Sequence, residues 1–359
     1  MRRHGMRLIF LFFSAFLLSA HSVNASEKIL NFRLKGIQSK IVTNFIAFNH
    51  LKSGIRIEKK NNKKYDFSKI INDSNNIAFL FFDGERLTHE KYNYTAVQTT
   101  PLFLYSITKS FTGMLLIHSL CEKDIVDLDV EMGNLSNRLK NTIYEDVTIR
   151  NALKMQSGIG RGFFKSHQIS MFRSFLNRKK APLDWLREVK RDGPQGKNFW
   201  YNANDTNALG VLIEDLTGES ISSNFGRVFV KNDKFNDDLF WQYSKDKENI
   251  GAYGLMASAQ DIIRLGSSFL EILDNNKCVK NIYETMMLGD KSKGAYGFQI
   301  WIHSSQKEKS NQIFYGQGHG GQYLLMDGAD KSVGFIYSID RKYKVGSAVD
   351  EFYKQKYRQ

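Results

Sequence analysis

The sequence predicts an α/β fold of the α+β kind, in which a mixed sheet is assembled from both chain ends and flanked by helices. Three observations carry this. β-favouring runs at 77–82 and 85–94 are followed by no comparable run until 298–302, 322–326 and 333–339. The residues between them show short helical spacings and loops, which predicts an all-helical insert over about 112–255. No regular strand–helix alternation, the mark of a parallel sheet, runs along the chain.

Each element has a local reason. Residues 41–51 read as a helix in a lysine- and asparagine-rich stretch. Ile77 to Phe82 is a strand, Asp83-Gly84 a turn pair, and Glu85 to Tyr94 the returning strand of a hairpin. Leu102 to Tyr105 leads into a helix that opens near Ser106, with Phe111, Met114, Leu115 and Leu120 at near-helical spacing. Thr148 is placed to cap the helix that holds Leu153. A helix over 205–216 stops at Gly218, and another over 258–273 is expected to be capped by Ser258. Asp327-Gly328 turns the chain between the last two strands, and a closing helix is expected over 348–357.

At 359 residues with 42% hydrophobic content, the chain suits two interlocked subdomains around a sizeable core. Arg2, Arg3 and Arg7, the apolar run from Leu8 to Leu18, and Val23-Asn24-Ala25 read as a signal peptide over 1–25, leaving a domain over 26–359. The alternative is an uncut anchor, for which the apolar run is short, since a span takes ~20 residues. The expected location is therefore the periplasm or the outside of a bacterial cell, with no stable membrane anchor after cleavage. Loss of those three arginines takes the formal charge from +14 to +11. That balance suits anionic surface polymers, or simply reflects lysines scattered among many Asn and Ile. No basic helix or aromatic-studded stripe points to nucleic acid. Cys121 and Cys278 stand outside any Cys-x-x-Cys spacing; export would permit one disulfide between them, and unpaired burial is the default expectation. No His-Glu-x-x-His is present, and neither a metal nor an organic cofactor is implied.

The chemistry begins at Ser106 and Lys109. A serine hydroxyl is a weak nucleophile until a base takes its proton. A lysine three residues on lies on the same helix face, and burial lowers an amine's pKa enough for it to serve. The same spacing recurs at Ser244/Lys247 and Ser304/Lys307, but among charged residues that read as surface. Only Ser106 follows an apolar lead and opens an apolar helix. No Gly-x-Ser-x-Gly elbow of the α/β-hydrolase kind is present.

The stretch Tyr105-Ser106-Ile107-Thr108-Lys109-Ser110-Phe111-Thr112-Gly113 closely resembles the first motif of the serine β-lactamase-like and penicillin-binding-protein-like family. Val147 to Gly158 and Gly254 to Asp261 are similar to two further family segments. Phe199-Trp200-Tyr201-Asn202-Ala203-Asn204-Asp205 resembles the second motif, which implies that Tyr201 shuttles protons, with its phenol pKa lowered by the lysine ammonium. Ala203 departs from the Asn or Ser common there and cannot hydrogen-bond a substrate amide. Gly318-His319-Gly320-Gly321-Gln322 looks like the third motif, carried on a strand. The resemblance implies that His319 acts beside Tyr201 and Lys109, that Gly320 and Gly321 let the substrate approach, and that the Gln322 N–H joins that of Ser106 in an oxyanion hole. Trp200, Tyr323 and the stretch around Phe163 are candidates for pocket walls or for ordinary core and surface aromatics.

The resemblance implies a β-lactamase/transpeptidase-like fold and a serine hydrolase that forms an acyl-enzyme at Ser106 from an ester or amide, closest in style to 6-aminohexanoate-dimer hydrolases and related esterases. The partner is a small-molecule or peptide-like substrate. The alternatives are a penicillin-binding D-alanyl-D-alanine carboxypeptidase or β-lactamase, or a catalytically silent module that binds cell-wall peptides.

Overall fold

The computed structural model describes residues 45–48, 65–93, 96–159, 179–230, 235–288, 296–303, 313–338 and 345–357. The expected signal peptide, Phe163 and Ser304 lie outside them. Apart from short helical turns, the elements in chain order are β1 (Phe45–Phe48), β2 (Asn76–Phe82), β3 (Leu87–Tyr92), β4 (Leu102–Phe103), α1 (Thr108–Glu122), α2 (Ile149–Leu153), α3 (Asn204–Thr217) and α4 (Ile221–Phe229). There follow β5 (Leu239–Gln242), β6 (Leu255–Ala257), α5 (Ala259–Asn275), α6 (Lys277–Leu288), β7 (Tyr296–Gly297), β8 (Ile300–Ile302), β9 (Ile313–Gly318), β10 (Gln322–Asp327), β11 (Val333–Ser338) and α7 (Val345–Tyr357).

The chain ends do share a sheet. Its strand order is β3-β2-β11-β10-β9-β8-β7, so the join between the two ends of the chain is β2 against β11. Every described pair is antiparallel, where the sequence left the sheet mixed. The apolar run Ile77 to Phe81 does not alternate with polar residues because both faces are covered. Ala78 and Leu80 face the main core, whereas Phe79 and Phe81 face a second cluster with Tyr323, Leu325, Ile336 and Phe352 of α7. Tyr323 is therefore a core residue on the face that α7 covers, and not a pocket wall.

A second sheet, ordered β1-β5-β6-β4, corrects two expectations. The stretch expected as a helix over 41–51 is strand where it is described, with Phe45 opposite Gln242 and Phe48 opposite Leu239. Pairing with a distant strand overrides local helix preference there. The insert is consequently not all helical, since β5 lies within it. Ser244, expected at the surface, is buried and donates to the Glu248 carbonyl at 3.1 Å, while Lys247 is exposed. The strand expected over 298–302 is shorter, because Phe298 and Gln299 form the two-residue turn between β7 and β8, at φ 59° and 62°.

Helix α1 runs through the middle. Nearly all its residues are buried, including Phe111, Met114, Leu115, Leu116 and Ile117, which fits a helix apolar on all sides. Gly113 sits where a Cβ would lie 2.8 Å from the Phe298 carbonyl oxygen, so the β7–β8 turn can press against the helix backbone. At its far end Cys121 is bonded to Cys278 of α6, with Cα atoms 5.9 Å apart. This overturns the expectation of unpaired cysteines. A separation of 157 residues gave no sign of it, and packing of α6 against α1 supplies the proximity. Cross-linking so long a loop restricts the unfolded chain. Cys278→Ser is expected to lower the unfolding free energy by about 2–4 kcal/mol, read from urea denaturation of non-reduced protein. An unchanged midpoint would show that the bond contributes nothing.

Candidate active site

Strand β4 and the turn after it aim Ser106. The Leu104 N–H donates to the Leu255 carbonyl at 3.0 Å, and the Leu255 N–H donates to the Thr108 hydroxyl at 3.1 Å. Between these clamps a 3₁₀ turn, Tyr105–Ile107, carries the serine into α1. Tyr105 holds φ 48°, a left-handed conformation unfavourable for a residue with a Cβ. The clamps on either side sustain it, and it leaves Ser106 half-buried at the mouth of the helix.

Lys109 stands one turn further along, buried, with Nζ 3.1 Å from Ser106 Oγ and 2.8 Å from the Ala252 carbonyl oxygen. That carbonyl is itself held. The Ala252 N–H donates to Asn207 Oδ1 at 3.2 Å, and Thr112 donates to the neighbouring Gly251 carbonyl at 2.8 Å. Burial pulls the Lys109 pKa from 10.5 down to about 7. An amine poised there has a lone pair for a proton at neutral pH.

Tyr201 completes the group from the loop before α3. Asn202 shapes that loop, accepting from the Asp205 N–H at 2.8 Å and donating to the Trp200 carbonyl at 2.9 Å. The Tyr201 hydroxyl is near enough to Ser106 to feel it, and its ring centroid lies 5.2 Å from Lys109 Nζ. Its pKa goes the opposite way from the expectation. Burial raises it to about 12, and the nearby Ser106 hydroxyl offsets only part of that. Tyr201 is therefore a neutral phenol at neutral pH, because desolvation disfavours the phenolate. Asp205 is fully buried, with its pKa raised to about 6 by desolvation, and takes hydrogen bonds from Tyr144 at 2.8 Å and Ser157 at 2.6 Å. It ties the loop to the helical layer.

The third motif is on a turn rather than a strand. Gly318 pairs with Gln322, leaving His319, Gly320 and Gly321 as a three-residue loop, with the two glycines at φ 109° and 101°. That geometry turns a chain and does not extend it. His319 is exposed there, its ring 6.2 Å from that of Tyr105. Gln322 is corrected outright as an oxyanion donor. It lies between Gly318 and Tyr337, inside the sheet, and its side-chain amide donates to the Ser338 carbonyl at 3.1 Å. Among the described residues, the open edge belongs to β9 instead. The His303 N–H bonds to the Ile313 carbonyl, so by two-residue alternation the backbone of Gln317 points the same way, beyond the last β8 pair, Trp301 with Tyr315. A Cβ at Gly316 would lie 3.0 Å from Ile107, and one at Gly318 would lie 2.8 Å from the Leu104 carbonyl oxygen. Glycine at both positions lets this edge close on the serine turn.

Sequence reasoning missed three contributors: the Ala252 carbonyl, the edge of β9, and Gln299. The buried Gln299 accepts from Thr206 at 2.7 Å and from Ser110 at 3.0 Å, and donates to the Ala152 carbonyl at 2.9 Å. It binds together α1, α2, α3 and the β7–β8 turn. Ala203 lies in an apolar cluster with Phe103, Trp185, Phe240, Tyr253 and Met256, with Tyr105 packed against it. Among the described residues, no group of His, Cys, Asp and Glu side chains could hold a metal ion.

Residues 73–357 match the sequence profile of the family described as Beta-lactamase. No curated protein matches by sequence. The fold is similar to that of a Bacillus anthracis protein assigned as a 6-aminohexanoate-dimer hydrolase, at 21% identity and a TM-score of 0.72, covering 87% of this chain and 89% of that one. It is also similar to a D-stereospecific amidohydrolase from Streptomyces sp., at 15% identity and TM-score 0.61, covering 80% and 95%. A penicillin-binding protein from Bacillus halodurans aligns at 16% identity and TM-score 0.56, covering 79% and 99%.

The buried lysine has opposite effects on stability and on chemistry. Between pH 7 and 10.5 the unfolded chain holds a proton on Lys109 that the folded chain sheds, so stability rises with pH across that window. Lys109→Met is expected to remove hydrolytic turnover yet raise the urea midpoint at pH 7, with the gain fading toward pH 10.5. Wild-type kcat/KM should climb through about pH 7. A methionine variant less stable at pH 7 than the wild type would contradict the buried, discharged amine.

Proposed function

Because the chain belongs to the Beta-lactamase family, and is thus a serine hydrolase acting on amide or ester bonds, we propose that it forms an acyl-enzyme at Ser106 and hydrolyses it. The observation that carries this reading is the three-way approach of Ser106, a lysine with pKa about 7 and a neutral Tyr201. Neutral Lys109 takes the Ser106 proton as Oγ attacks the substrate carbonyl. The N–H of Ser106 and an N–H on the open edge of β9 receive the oxyanion, in place of Gln322. Tyr201 gives its proton to the departing oxygen or nitrogen and recovers one from the Lys109 ammonium. Water then repeats the sequence in reverse and frees the acid. His319, at the rim beside Tyr105, is positioned to meet substrate rather than to move this proton.

The preferred substrates are simple esters and amides. Ala203 presents a methyl group where an amide-binding side chain would hold a β-lactam, and Tyr315 to Gly318 on β9 carry no cation for a carboxylate. A fluorophosphonate should label the protein at Ser106 and leave Ser106→Ala unlabelled. p-Nitrophenyl esters of short acids should turn over at least about a hundredfold faster than nitrocefin by kcat/KM. Efficient cephalosporin turnover, or covalent capture of a fluorescent penicillin, would favour the β-lactamase or carboxypeptidase reading. A properly folded protein that no probe labels would favour the silent binding module.

We also propose export to the periplasm. The basic and apolar N-terminal run supports this, as does the Cys121–Cys278 bond, since disulfides persist in oxidising compartments. Expressed in a Gram-negative host, the protein is expected in the periplasm with Ser26 as its first residue. Membrane-bound material that retains Met1 would indicate an uncut anchor.

A further inference from the structure

We propose that the site selects substrates with a neutral, apolar leaving group, seated on an aromatic wall formed by Phe199, Tyr296 and Trp301 beside Tyr201. The proposal rests on the hydrolase reading above and names the substrate class that reading leaves open.

The rings are continuous. Tyr201 lies 5.7 Å from Trp301 and 5.7 Å from Tyr296. Tyr296 and Trp301 meet at 4.7 Å, and Phe199 touches both, at 5.3 and 6.0 Å. Trp301 also stacks at 6.3 Å on Tyr315 of β9, which packs against the cluster under α7 and so anchors the wall from the sheet. Its outer end is uncovered, since Phe199 is 42% exposed, one of three large hydrophobic side chains in that state among the described residues. It is not a lone surface side chain, because its ring continues those of Tyr296 and Trp301.

The wall is also held rigidly. Tyr296 and Trp301 flank the Phe298-Gln299 turn, whose left-handed residues are pinned by the Gln299 hydrogen bonds to three helices and by the close approach of Gly113. Rigid aromatic surfaces bind apolar groups without first being ordered. Position along the reaction follows from Tyr201. It supplies the leaving-group proton, so the part of the substrate that lies against its ring and its neighbours is the leaving group. The adjoining strand residues Tyr315, Gly316, Gln317 and Gly318 bear no charge, which suits a neutral group.

The test uses three acetate esters whose leaving alcohols differ little in basicity: 3-phenylpropyl acetate, propyl acetate and the carboxylate-bearing 4-acetoxybutanoate. The wild type is expected to favour the phenylpropyl ester over the propyl ester by about tenfold or more in kcat/KM, and to use the carboxylate ester least. Phe199→Ala should cut the phenylpropyl preference by roughly threefold to tenfold, chiefly through KM, whereas Phe199→Tyr should retain it. Thermal melts of both variants check folding. Equal use of the phenylpropyl and propyl esters overturns the proposal, as does a preference that Phe199→Ala leaves intact or a preference for the carboxylate. Labelling of Ser106 by a fluorophosphonate with no cleavage of any of the three also overturns it. Failure of both labelling and cleavage overturns the hydrolase reading instead.

Discussion

An amine buried against a backbone carbonyl is the constraint around which this molecule is arranged. Lys109 loses most of its hydration, and among the described residues burial alone accounts for its lowered pKa. Keeping such a group dry requires α1 to be enclosed on nearly every side. Enclosure in turn requires backbones to come close, which Gly113 and Gly251 permit: a Cβ on Gly251 would lie 3.2 Å from the Thr206 carbonyl oxygen. Water admitted at either place would restore the ammonium and disarm the serine.

The same dryness settles the role of Tyr201. Burial disfavours the charged form of each group, so it lets the amine shed its proton near neutral pH and makes the phenol keep its own. The site thus separates its two titrating groups, with Lys109 near 7 and Tyr201 near 12, so that one accepts while the other still has a proton to give. The polar links that maintain this spacing, through Asn207, Thr112 and Gln299, are short-range and fully buried. They are the type of network in which losing one partner strands another.

Ser106, Lys109 and Tyr201 were legible in the sequence because each sits in a contiguous pattern: an apolar lead into a helix, a three-residue step, and a loop-to-helix junction. The β2–β3 hairpin and the caps at Thr148 and Gly218 were legible for the same reason, since turn and cap chemistry is local. What escaped depends on contacts distant in sequence. The Ala252 carbonyl has no side-chain signature at all. Phe45 to Phe48 take their conformation from β5, and Cys121 meets Cys278 only through the packing of two helices. Gly320-Gly321 could be read as an accommodating strand or as a turn, and only the register of β9 against β10 decides between them. Choosing the strand moved Gln322 to an edge it does not occupy.

The pairing of β2 with β11 carries a consequence for how the protein comes into being. Two neighbouring strands of its main sheet are made at opposite ends of synthesis, with Phe82 waiting for Val333. Until that partner emerges, β2 has an unsatisfied hydrogen-bonding edge and a run of bare aromatic side chains, a hazard for self-association. The serine turn depends on the same late arrival, because the strand that closes on it, β9, also belongs to the last part of the chain. Contacts this distant slow folding. The sheet and the serine turn are therefore completed together, and only once the last strands have been made.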